Sequence, residues 1–446
     1  MLVAQLATGK VEPVGLTSPW YPENTAMAEN YTLAQIDYYR TIHPFHNPER
    51  RGISSMFLAW RGKRKIRYVN LQASASGDSI SGPSKKQFLF GFGFLRSKIG
   101  QLLRFLNTGV TWVEEKIMFR MFRQRILEVA EQTKAEFVHA HTPYRVGIPA
   151  LWAARKLGIP FVYEMRGMWE ETAVGSGRWK SWGPSYRRFR RIETKLLRRA
   201  DAVICISETL RQEAISRGVD SAKITIVPNA VNPNLHSDAV ESSTISEVKE
   251  SLALGNNTVV VGYIGSLRSI EGVDQTAEAV AILSKQGLDV RFFALTSSSG
   301  QTELMQHCKT LDIADKSVIA GPVPHAQVMP FYDLIDIFVV SRPKTRVTSL
   351  VTPLKPFEAM MAGRAVICSD LPALAEIVDD GKTGLLYSVD DIDDLASKIN
   401  QLVIDAELRS TLGTNAQRWV EAERTWSVVA QKGLVAYAMA QSNMPQ

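Results

Sequence analysis

The sequence predicts an α/β protein built from two Rossmann-like, doubly wound domains. Short apolar runs rich in β-branched residues alternate with segments of helical period, which is typical of parallel sheets with crossover helices. The alternation occurs in two series, and a Pro- and Ser-containing segment from Pro228 to Leu254 separates them. At 446 residues with 45% apolar side chains, the chain also exceeds the size that one hydrophobic core serves.

The two series define the predicted elements and domains. In the first series the predicted strands are Val11–Leu16, Phe137–Ala140, Pro160–Tyr163, Ala202–Ile206 and Ile224–Val227, and the predicted helices cover 116–134, 145–157, 184–199 and 207–217. In the second series the predicted strands lie within 258–265, 290–295, 317–321, 336–340, 365–369 and 383–387. The predicted organisation is an N-terminal domain over 1–235 with a basic insertion at 43–110, a linker over 236–254, a C-terminal domain over 255–424 and a final helix within 425–446.

The charge of the chain is divided unevenly between its halves. Residues 1–235 contain 35 Lys and Arg against 19 Asp and Glu, a net charge of +16, whereas residues 236–446 contain 17 against 26, a net charge of −9. A basic half favours a polyanionic partner, either nucleic acid or an anionic membrane surface. No nucleic-acid-binding motif accompanies the charge. The simpler alternative is an uneven scatter of solvated charges. A difference of 25 charges between the two halves disfavours it.

Residues 43–110 form the insertion of the first half. They interleave Lys and Arg with Phe and Leu, as in RGKRKIR and SKKQFLFGFGFLRSKIGQLLRFL. Such a segment suits an interfacial helix or loop, with cations on anionic head groups and apolar side chains in the acyl boundary. An ordinary insertion that closes a small satellite core is an equal alternative.

Other features bear on location and on metals. No window of about 18 apolar residues is present, so no bilayer-spanning helix is predicted. The first residues lack the pattern of a secretory signal, and three Cys without ligand spacing favour a reducing compartment, so a cytoplasmic protein is expected. His139 and His141 share one face of a predicted strand, but no third ligand is evident and no metal site is predicted.

The stretch over 348–387, TSLVTPLKPFEAMMAGRAVICSDLPALAEIVDDGKTGLLY, carries most of the predicted chemistry. Two prolines hold an extended loop that opens into a predicted helix over Phe357–Ala362. Free N–H groups and the helix dipole at this entry suit a diphosphate, and Lys355 adds a cation. Glu358 can accept two hydrogen bonds from a vicinal diol such as a ribose. The loop therefore suggests a nucleotide diphosphate.

This stretch and several others resemble retaining family 4 glycosyltransferases of the GT-B fold. The similar segments include FVHAHTPY, IPFVYEMRGMWEETAV and ITIVPNAVN in the first half and GYIGSLRSIEGVD in the second. VYEMRGMWEE together with TPLKPFEAM is closest to bacterial exopolysaccharide glycosyltransferases, particularly exosortase-associated ones. The resemblance implies an acceptor-binding first domain, a second domain that binds a nucleotide diphosphate sugar across a cleft, and no metal or other cofactor.

The resemblance also implies a function and a set of donor-binding residues. It implies transfer of a sugar, with retention, to a lipid-linked or growing polysaccharide acceptor in exopolysaccharide or cell-surface glycan synthesis, by a peripheral protein on the inner face of the plasma membrane. The final helix would cross back to the first domain. The base would lie near Gly321, Pro322 and Val323, the diphosphate near Gly265, Ser266 and Lys355, and the ribose at Glu358, with Pro356 in the same loop and Glu376 in a secondary role.

Three departures from the family pattern affect the donor site. Leu350 stands where the first of two glutamates is usual, and Ser266 and Glu271 replace both cations of an Arg-Leu-x-x-x-Lys-Gly clamp. A carboxylate beside a diphosphate is repulsive, so an active enzyme needs other cations. The candidates are Lys355, Arg342 and Arg268. A solvated loop charge at Arg342 and a harmless first-turn acid at Glu271 are the alternatives, and a catalytically silent scaffold or binding subunit is the alternative function.

In the first domain Arg166 stands where many family members carry a histidine near the anomeric carbon. Arg166 and Glu170 follow the strand FVYEM and are expected at the cleft. Arg166 would hold an acceptor phosphate or the leaving diphosphate, and Glu170 would orient the acceptor or take its proton. A salt bridge between the two is the alternative. His141 resembles a cleft-facing histidine of the family. The alternative is a histidine at the end of a loop whose hydrogen bonds are all made within the protein.

The beginning of the sequence also departs from the family. LVAQLATGK resembles the end of the first helix, and VEPVGLTSP resembles the second strand. The first strand of the N-terminal domain is therefore expected to be missing, which would leave that sheet without a central strand.

Overall fold

The two predicted α/β domains are both present. The computed structural model describes residues 2–5, 34–37, 115–116, 119–131, 134–232, 243–255, 257–324 and 327–444. The predicted strand Val11–Leu16 and the basic insertion at 43–110 lie outside the described residues.

The first domain is built on a six-stranded parallel sheet. Its strands are β1 (Leu2–Gln5), β2 (Ala34–Asp37), β3 (Val138–His141), β4 (Phe161–Met165), β5 (Ala202–Cys205) and β6 (Ile224–Ile226), in the spatial order β2-β1-β3-β4-β5-β6. Its helices are α1 (119–131), α2 (Tyr144–Leu157), α3 (Trp169–Gly175), α4 (Pro184–Arg199) and α5 (Glu208–Ser216). Every residue of β3, β4 and β5 is buried, which explains why these strands are nearly continuous apolar runs.

The first strand of this sheet is present, so the expectation that it is missing is wrong. β1 lies between β2 and β3, with Leu2 beside Ala34 on one side and beside Val138 on the other. These residues had been assigned to the end of a helix. Four residues span about one helical turn, so an apolar run of this length fits a helix and a buried strand equally well.

The second domain is a second six-stranded parallel sheet. Its strands are β7 (Val259–Ile264), β8 (Val290–Leu295), β9 (Ser317–Ala320), β10 (Ile337–Val340), β11 (Ala365–Ser369) and β12 (Leu385–Tyr387), in the spatial order β12-β11-β10-β7-β8-β9. Its helices are α6 (Ser243–Leu252), α7 (Val273–Lys285), α8 (Gln301–Thr310), α9 (Met329–Tyr332), α10 (Arg346–Leu350), α11 (Lys355–Met361), α12 (Pro372–Ala375), α13 (Ile392–Ile404) and α14 (Ala406–Glu423). The strand order places the crossover between β10 and β7 at the middle of the sheet, which is where ligands bind in open α/β sheets.

The last helix, α15 (Trp426–Ser442), packs on the first sheet rather than on the second. Val429 and Tyr437 share a buried apolar cluster with Phe137 and Val162 of the first domain. A β-bridge between Val231 and Thr425 brings the chain back to this position. Among the described residues, no helix has both the length and the apolar character that crossing a bilayer requires.

Glu193 of α4 is a buried carboxyl group inside the first domain, and it should make stability depend on pH. Its oxygens accept hydrogen bonds from the Tyr163 hydroxyl and, at 2.8 Å, from the Tyr144 backbone N–H. Burial raises the pKa of Glu193 from 4.5 to about 7. A raised pKa in the folded state means that the folded protein binds more protons, so stability is full below pH 4.5 and falls as the pH rises through 7.

Glu193→Gln should therefore remove this pH dependence. We expect the free energy of unfolding of the unmodified chain to fall by up to about 3 kcal/mol between pH 5 and pH 8 relative to the variant. Urea unfolding at several pH values measures it, and Glu136→Gln, at an exposed position of the same domain, is the matched control. Parallel pH profiles for Glu193→Gln and the unmodified chain would contradict the prediction.

Candidate functional site

The carboxyl ends of the parallel strands meet at one edge of each sheet. In the second domain Gly265 follows β7, Gly321 follows β9 and Arg342 lies two residues after β10. In the first domain Arg166 follows β4 and Ser207 lies two residues after β5. This edge of an open α/β sheet is the usual ligand-binding position. The structure thus brings predicted donor-site and acceptor-site residues to the two strand edges.

Glu271 is the centre of a buried ionic cluster at the second-domain edge. Its carboxylate lies in a 3₁₀ turn before α7, with no exposed surface. Oε2 lies 3.0 Å from Lys355 Nζ and 3.1 Å from both Arg342 Nε and Nη2, and Oε1 lies 2.9 Å from Arg268 Nη2. The three cations proposed to compensate for the missing clamp therefore all contact the glutamate that replaces its lysine.

The charges of this cluster follow from its burial and its contacts. Burial favours the neutral carboxyl, but Arg342 and Lys355 outweigh it and lower the pKa of Glu271 to about 2. Burial lowers the pKa of Lys355 in spite of Glu271. The interpretations of Glu271 as a harmless first-turn acid and of Arg342 as a solvated loop charge are both wrong, because Arg342 is only 6% exposed and is paired with this carboxylate.

Lys355 is held in place from several directions. Its ammonium lies 5.0 Å from the centre of the Tyr263 ring, in addition to its contact with Glu271. A Cβ atom at Gly265, which has φ +148°, would lie 2.2 Å from Lys355 Cε. The glycine after β7 is therefore required for the lysine to occupy this position.

The predicted ribose and base positions lie on the same domain. Glu358, one turn into α11, is half-buried and accepts a 2.7 Å hydrogen bond from the Tyr332 hydroxyl, which orients the carboxylate. The Gly321 carbonyl accepts a hydrogen bond from Gln301 Nε2 at 3.0 Å. Of the remaining predicted donor residues, the structure buries Pro356, half-buries Ser266 and Val323, and exposes Pro322.

Leu350, in the place of the family's first glutamate, is part of a contact between the domains. Its side chain and that of Val351 pack against the apolar core of the first domain. Its carbonyl lies 3.0 Å from Thr209 Oγ1 and 3.4 Å from Ser207 Oγ, both of which donate to it. The substitution thus exchanges a carboxylate for an apolar contact across the cleft.

Two charged residues of the second domain also bind the first. The Glu376 carboxylate accepts hydrogen bonds from the backbone N–H groups of Glu208 and Thr209, each at 2.7 Å, at the start of α5. Arg346 donates to Glu171 at 2.8 Å and to Glu213 at 2.6 Å. In this structure Glu376 therefore holds the domains together, whereas a secondary role at the donor was expected for it.

Arg166 lies at the first-domain edge and is held there by a buried carboxylate. Its Nη1 donates to Glu164 Oε1, and its Nη2 donates to Asn229 Oδ1 at 3.2 Å. Asn229 in turn donates to the Thr352 carbonyl of the second domain at 3.0 Å. Burial favours the neutral carboxyl of Glu164, but His141 and Arg166 hold its pKa well below its ordinary value.

The two histidines of β3 complete this network. Glu164 Oε2 lies 3.2 Å from His139 Nε2 and 3.6 Å from His141 Nε2, and the Tyr437 hydroxyl lies 2.9 Å from His139 Nδ1. Burial lowers the pKa of His141 to about 3 despite Glu164. His141 is thus buried beside Glu164 rather than exposed to the cleft, which contradicts its expected cleft-facing role.

The same group has the composition of a metal site. The ligand atoms of His139, His141 and Glu164 lie within 4.8 Å of one another, so the expectation that no third ligand accompanies the histidines is wrong. Arg166, however, already balances the charge of Glu164. A divalent cation would add two uncompensated charges to a buried site, which is costly. The arrangement therefore fits a network that positions Arg166 better than it fits a metal centre.

Glu170 was expected at the cleft, but its side chain is buried instead. It is 1% exposed and accepts a 2.7 Å hydrogen bond from Arg217 Nη2, which is equally buried. The alternative, a salt bridge between Arg166 and Glu170, is wrong too, because each pairs elsewhere. The first turn of α3 points this carboxylate into the domain, so Glu170 is structural.

Several residues that shape the site were not predicted from the sequence. Glu164 was detectable, because a carboxylate within the apolar strand FVYEM must be buried with a partner. Asn229, Arg217 and Tyr437 carry no comparable signal. Their partners are distant in the sequence: Tyr437 meets His139 through the packing of α15, Asn229 meets Thr352 through the contact between domains, and Arg217 meets Glu170 within the first domain.

Two family models match the chain in succession. The model described as Glycosyltransferase Family 4 matches residues 107–235, and the model described as Glycosyl transferases group 1 matches residues 244–419. The first match covers the first domain from α1 onward, and the second covers most of the second domain.

Curated relatives are similar over part of their length. Alpha-monoglucosyldiacylglycerol synthase of Streptococcus pneumoniae is 21% identical over 61% of this chain and 60% of its own length. Alpha-maltose-1-phosphate synthase of Mycolicibacterium smegmatis is 24% identical over 68% of this chain and 79% of its own length. A capsular polysaccharide biosynthesis glycosyltransferase of Staphylococcus aureus is 21% identical over 50% of this chain and 57% of its own length. The chain thus spans less than two thirds of the first and third of these relatives.

Solved structures confirm the predicted fold. Sucrose-phosphate synthase of Thermosynechococcus elongatus has a TM-score of 0.56 at 19% identity, over 72% of this chain and 78% of that one. HepE of Anabaena in complex with UDP-glucose has a TM-score of 0.54 at 20% identity, over 72% of this chain and 82% of that one. These neighbours have the GT-B fold, and the two parallel α/β domains described above agree with it.

Proposed function

We propose that this chain, whose halves match two glycosyltransferase models, transfers a sugar with retention from a nucleotide diphosphate sugar to a lipid-linked or growing polysaccharide acceptor. The observation that carries the proposal is the cluster of Arg268, Arg342 and Lys355 around Glu271. One carboxylate does not neutralise three cations, so a net positive charge is left at the edge where ligands bind, which suits a diphosphate. Glu358 lies one turn beyond Lys355 and would bind the ribose.

The cations would act on the leaving group. Negative charge develops on the diphosphate as its bond to the sugar breaks, and fixed cations stabilise that charge without reorganising during the reaction. Glu271 orders Lys355 and Arg342 before the donor binds, because both contact the same buried carboxylate. These side chains supply the charge that a metal ion would otherwise provide, so we propose that the transfer is metal-independent.

The acceptor class rests on the first domain and on the relatives. Arg166, which donates to the buried Glu164, is the residue that we propose binds an acceptor phosphate. The similar proteins include a synthase of a glucosylated diacylglycerol and a capsular polysaccharide glycosyltransferase. The net charge of +16 over residues 1–235 favours work at an anionic membrane. We therefore place the enzyme in exopolysaccharide or cell-surface glycan synthesis, as a cytoplasmic protein on the inner face of the plasma membrane.

A donor screen tests this function. The full chain is mixed with each of a panel of nucleotide diphosphate sugars and a lipid-linked glycan, and release of the nucleoside diphosphate is measured. Glu358→Ala should lower kcat/KM for the active donor by at least about tenfold, because a hydrogen bond to a charged group contributes about 1.5 to 3 kcal/mol. Glu421→Ala, at an exposed position of α14, is the control.

Unchanged turnover in both Glu358→Ala and Lys355→Ala would place the donor site elsewhere. The anomeric configuration of the product, read by NMR, tests retention separately. An inverted product would overturn that part of the proposal without affecting the donor assignment.

A catalytically silent binding or scaffold subunit is the second candidate. It is favoured by Leu350, which replaces a carboxylate with a contact between domains, and by the pairing of all three cations with Glu271. Isothermal titration with nucleoside diphosphates separates the two functions. Binding with turnover supports the enzyme, and no binding by the full chain supports the scaffold.

A further inference from the structure

The outer face of α4 carries a long stripe of exposed cations. The 16-residue helix, PSYRRFRRIETKLLRR, buries Tyr186, Phe189, Glu193, Leu196 and Leu197 against the first domain. Six basic residues lie on its exposed side: Arg187, Arg188, Arg191, Lys195, Arg198 and Arg199. At 1.5 Å per residue the stripe is about 18 Å long, and four of its members line a shallow groove along the helix.

The stripe has no counter-charge on its own helix. Glu193 is the one carboxylate of α4, and it is buried, with a pKa that burial raises to about 7. Two of the six cations have partners beside the helix, since Arg188 pairs with Glu115 and Arg198 donates to the Arg217 carbonyl. Arg187, Arg191 and Lys195 are spaced four residues apart, so they point the same way from successive turns. The exposed face is therefore strongly cationic over most of its length.

An exposed tryptophan stands at the beginning of the helix. Trp182 is 52% exposed and packs beside Tyr186, with their ring centres 5.0 Å apart. The Arg190 guanidinium lies 5.5 Å from the centre of the Trp182 ring. Tryptophan is the side chain that prefers the boundary between water and hydrocarbon in membranes. The cationic helix face suits the anionic head groups of a lipid surface. The exposed tryptophan at one end of it suits the boundary between the head groups and the acyl chains.

This end of α4 lies beside the contact between the domains. Arg190 donates to Glu213 at 2.7 Å, and Glu213 accepts from Arg346 of the second domain at 2.6 Å. A surface that held Trp182 at a bilayer would thus bring the junction of the two domains close to the head groups. A lipid-linked acceptor could reach the cleft from there without leaving the membrane.

We propose that the exposed face of α4, with Trp182, is the surface by which this protein docks on an anionic membrane. The proposal deepens the proposed function by naming the described element that meets the lipid. Charge complementarity selects the partner, because a row of Lys and Arg binds anionic head groups and each such residue strengthens binding roughly fivefold. The aromatic side chain favours a lipid surface over a purely polyanionic glycan.

Vesicle sedimentation of the full chain tests the surface. We expect binding to phosphatidylcholine vesicles that contain phosphatidylglycerol, weak binding to pure phosphatidylcholine, and release at high salt. Arg187→Glu/Arg191→Glu/Lys195→Glu should weaken binding to the anionic vesicles by at least about a hundredfold. The neutral variant Arg187→Gln/Arg191→Gln/Lys195→Gln should lose less, and Trp182→Ala should weaken binding without changing its salt dependence.

The control reverses three exposed cations of the second domain, Lys285→Glu/Lys309→Glu/Arg418→Glu, which changes the net charge equally. It should keep most of the vesicle binding. Both triple variants should keep the melting temperature and the nucleoside diphosphate affinity of the unmodified chain, so a folding defect would be visible. Failure of the donor screen would leave the vesicle result unaffected, so the two proposals fail separately.

Three results would overturn the docking surface. They are equal binding to neutral and anionic vesicles, full anionic-vesicle binding by the α4 charge-reversal variant, and equal losses in the α4 and second-domain variants. Retention of the chain on an acidic polysaccharide, with no vesicle binding at the same salt concentration, would assign the stripe to a glycan instead.

Discussion

Replacing Glu271 by glutamine should lower the free energy of unfolding by about 3 to 5 kcal/mol. The carboxylate is fully buried and contacts Arg342, Lys355 and Arg268. Glutamine preserves the shape but removes the charge, which leaves Arg342 and Lys355 as like charges in a poorly solvated site. The loss of one partner of a buried ion pair costs more than the pair itself contributes, because the remaining charge is not compensated. Urea unfolding at neutral pH measures the change.

The pH dependence of this effect follows from the lowered pKa of Glu271. A carboxyl whose pKa falls from 4.5 to about 2 on folding stabilises the protein above pH 4.5, and that contribution is lost as the pH falls through 2. The difference in stability between the unmodified chain and Glu271→Gln should therefore be constant from pH 5 to pH 8. Glu421→Gln, on the surface of the same domain, should be close to neutral. A loss below about 1 kcal/mol for Glu271→Gln would show that the cluster is solvated.

Replacing Lys355 by alanine should weaken nucleoside diphosphate binding by about tenfold to about 150-fold. A hydrogen bond between charged groups contributes about 1.5 to 3 kcal/mol, and Lys355 is the cation that the loop before α11 brings to the strand edge. The variant should fold, because Glu271 keeps Arg342 as a buried partner. Isothermal titration of the full chain with UDP and other nucleoside diphosphates measures the affinity.

Lys382→Ala is the matched control for this substitution. Its side chain is 74% exposed and pairs with Asp379 on the surface of the same domain. It should leave the affinity unchanged, because an exposed ion pair contributes little and lies outside the cluster. Equal affinities for Lys355→Ala and Lys382→Ala would remove Lys355 from the donor site.

The sequence predicted the alternation of strands and helices in both domains, except at short segments such as the four-residue strand β1. The strands predicted within 290–295 and 365–369 occupy these ranges in the structure, because mostly apolar runs of five or six residues that turns bound on both sides leave little ambiguity. β1 could not be predicted in the same way. Its four residues, LVAQ, form a strand because β2 and β3 pair with them, and β3 is more than a hundred residues away in the sequence.

For the candidate site, the sequence predicted candidate residues but not which of them contact one another. Lys355, Arg342 and Arg268 were identified as the cations that an active enzyme would need, because the clamp positions hold Ser266 and Glu271. Their common contact with Glu271 could not be foreseen, since they come from three separate segments, the loops after β7 and β10 and the first turn of α11. Glu170 was placed in the cleft because it follows a strand, but the direction of a side chain on a short helix depends on the partner it finds, here Arg217.

The two-domain α/β fold and the division of charge could be predicted from the amino-acid sequence, and the resemblance to a known family pointed to Lys355, Arg342 and Arg268 as candidate donor-site cations. The fold and the division of charge follow from local periodicity and composition, which need no knowledge of distant contacts. The tertiary structure alone decided that Glu271 organises the cations, that Glu164 fixes Arg166, and that Leu350 and Glu376 join the domains. The physical reason is that a buried charge must find its partner wherever the chain brings one, and packing rather than sequence distance sets which partner that is.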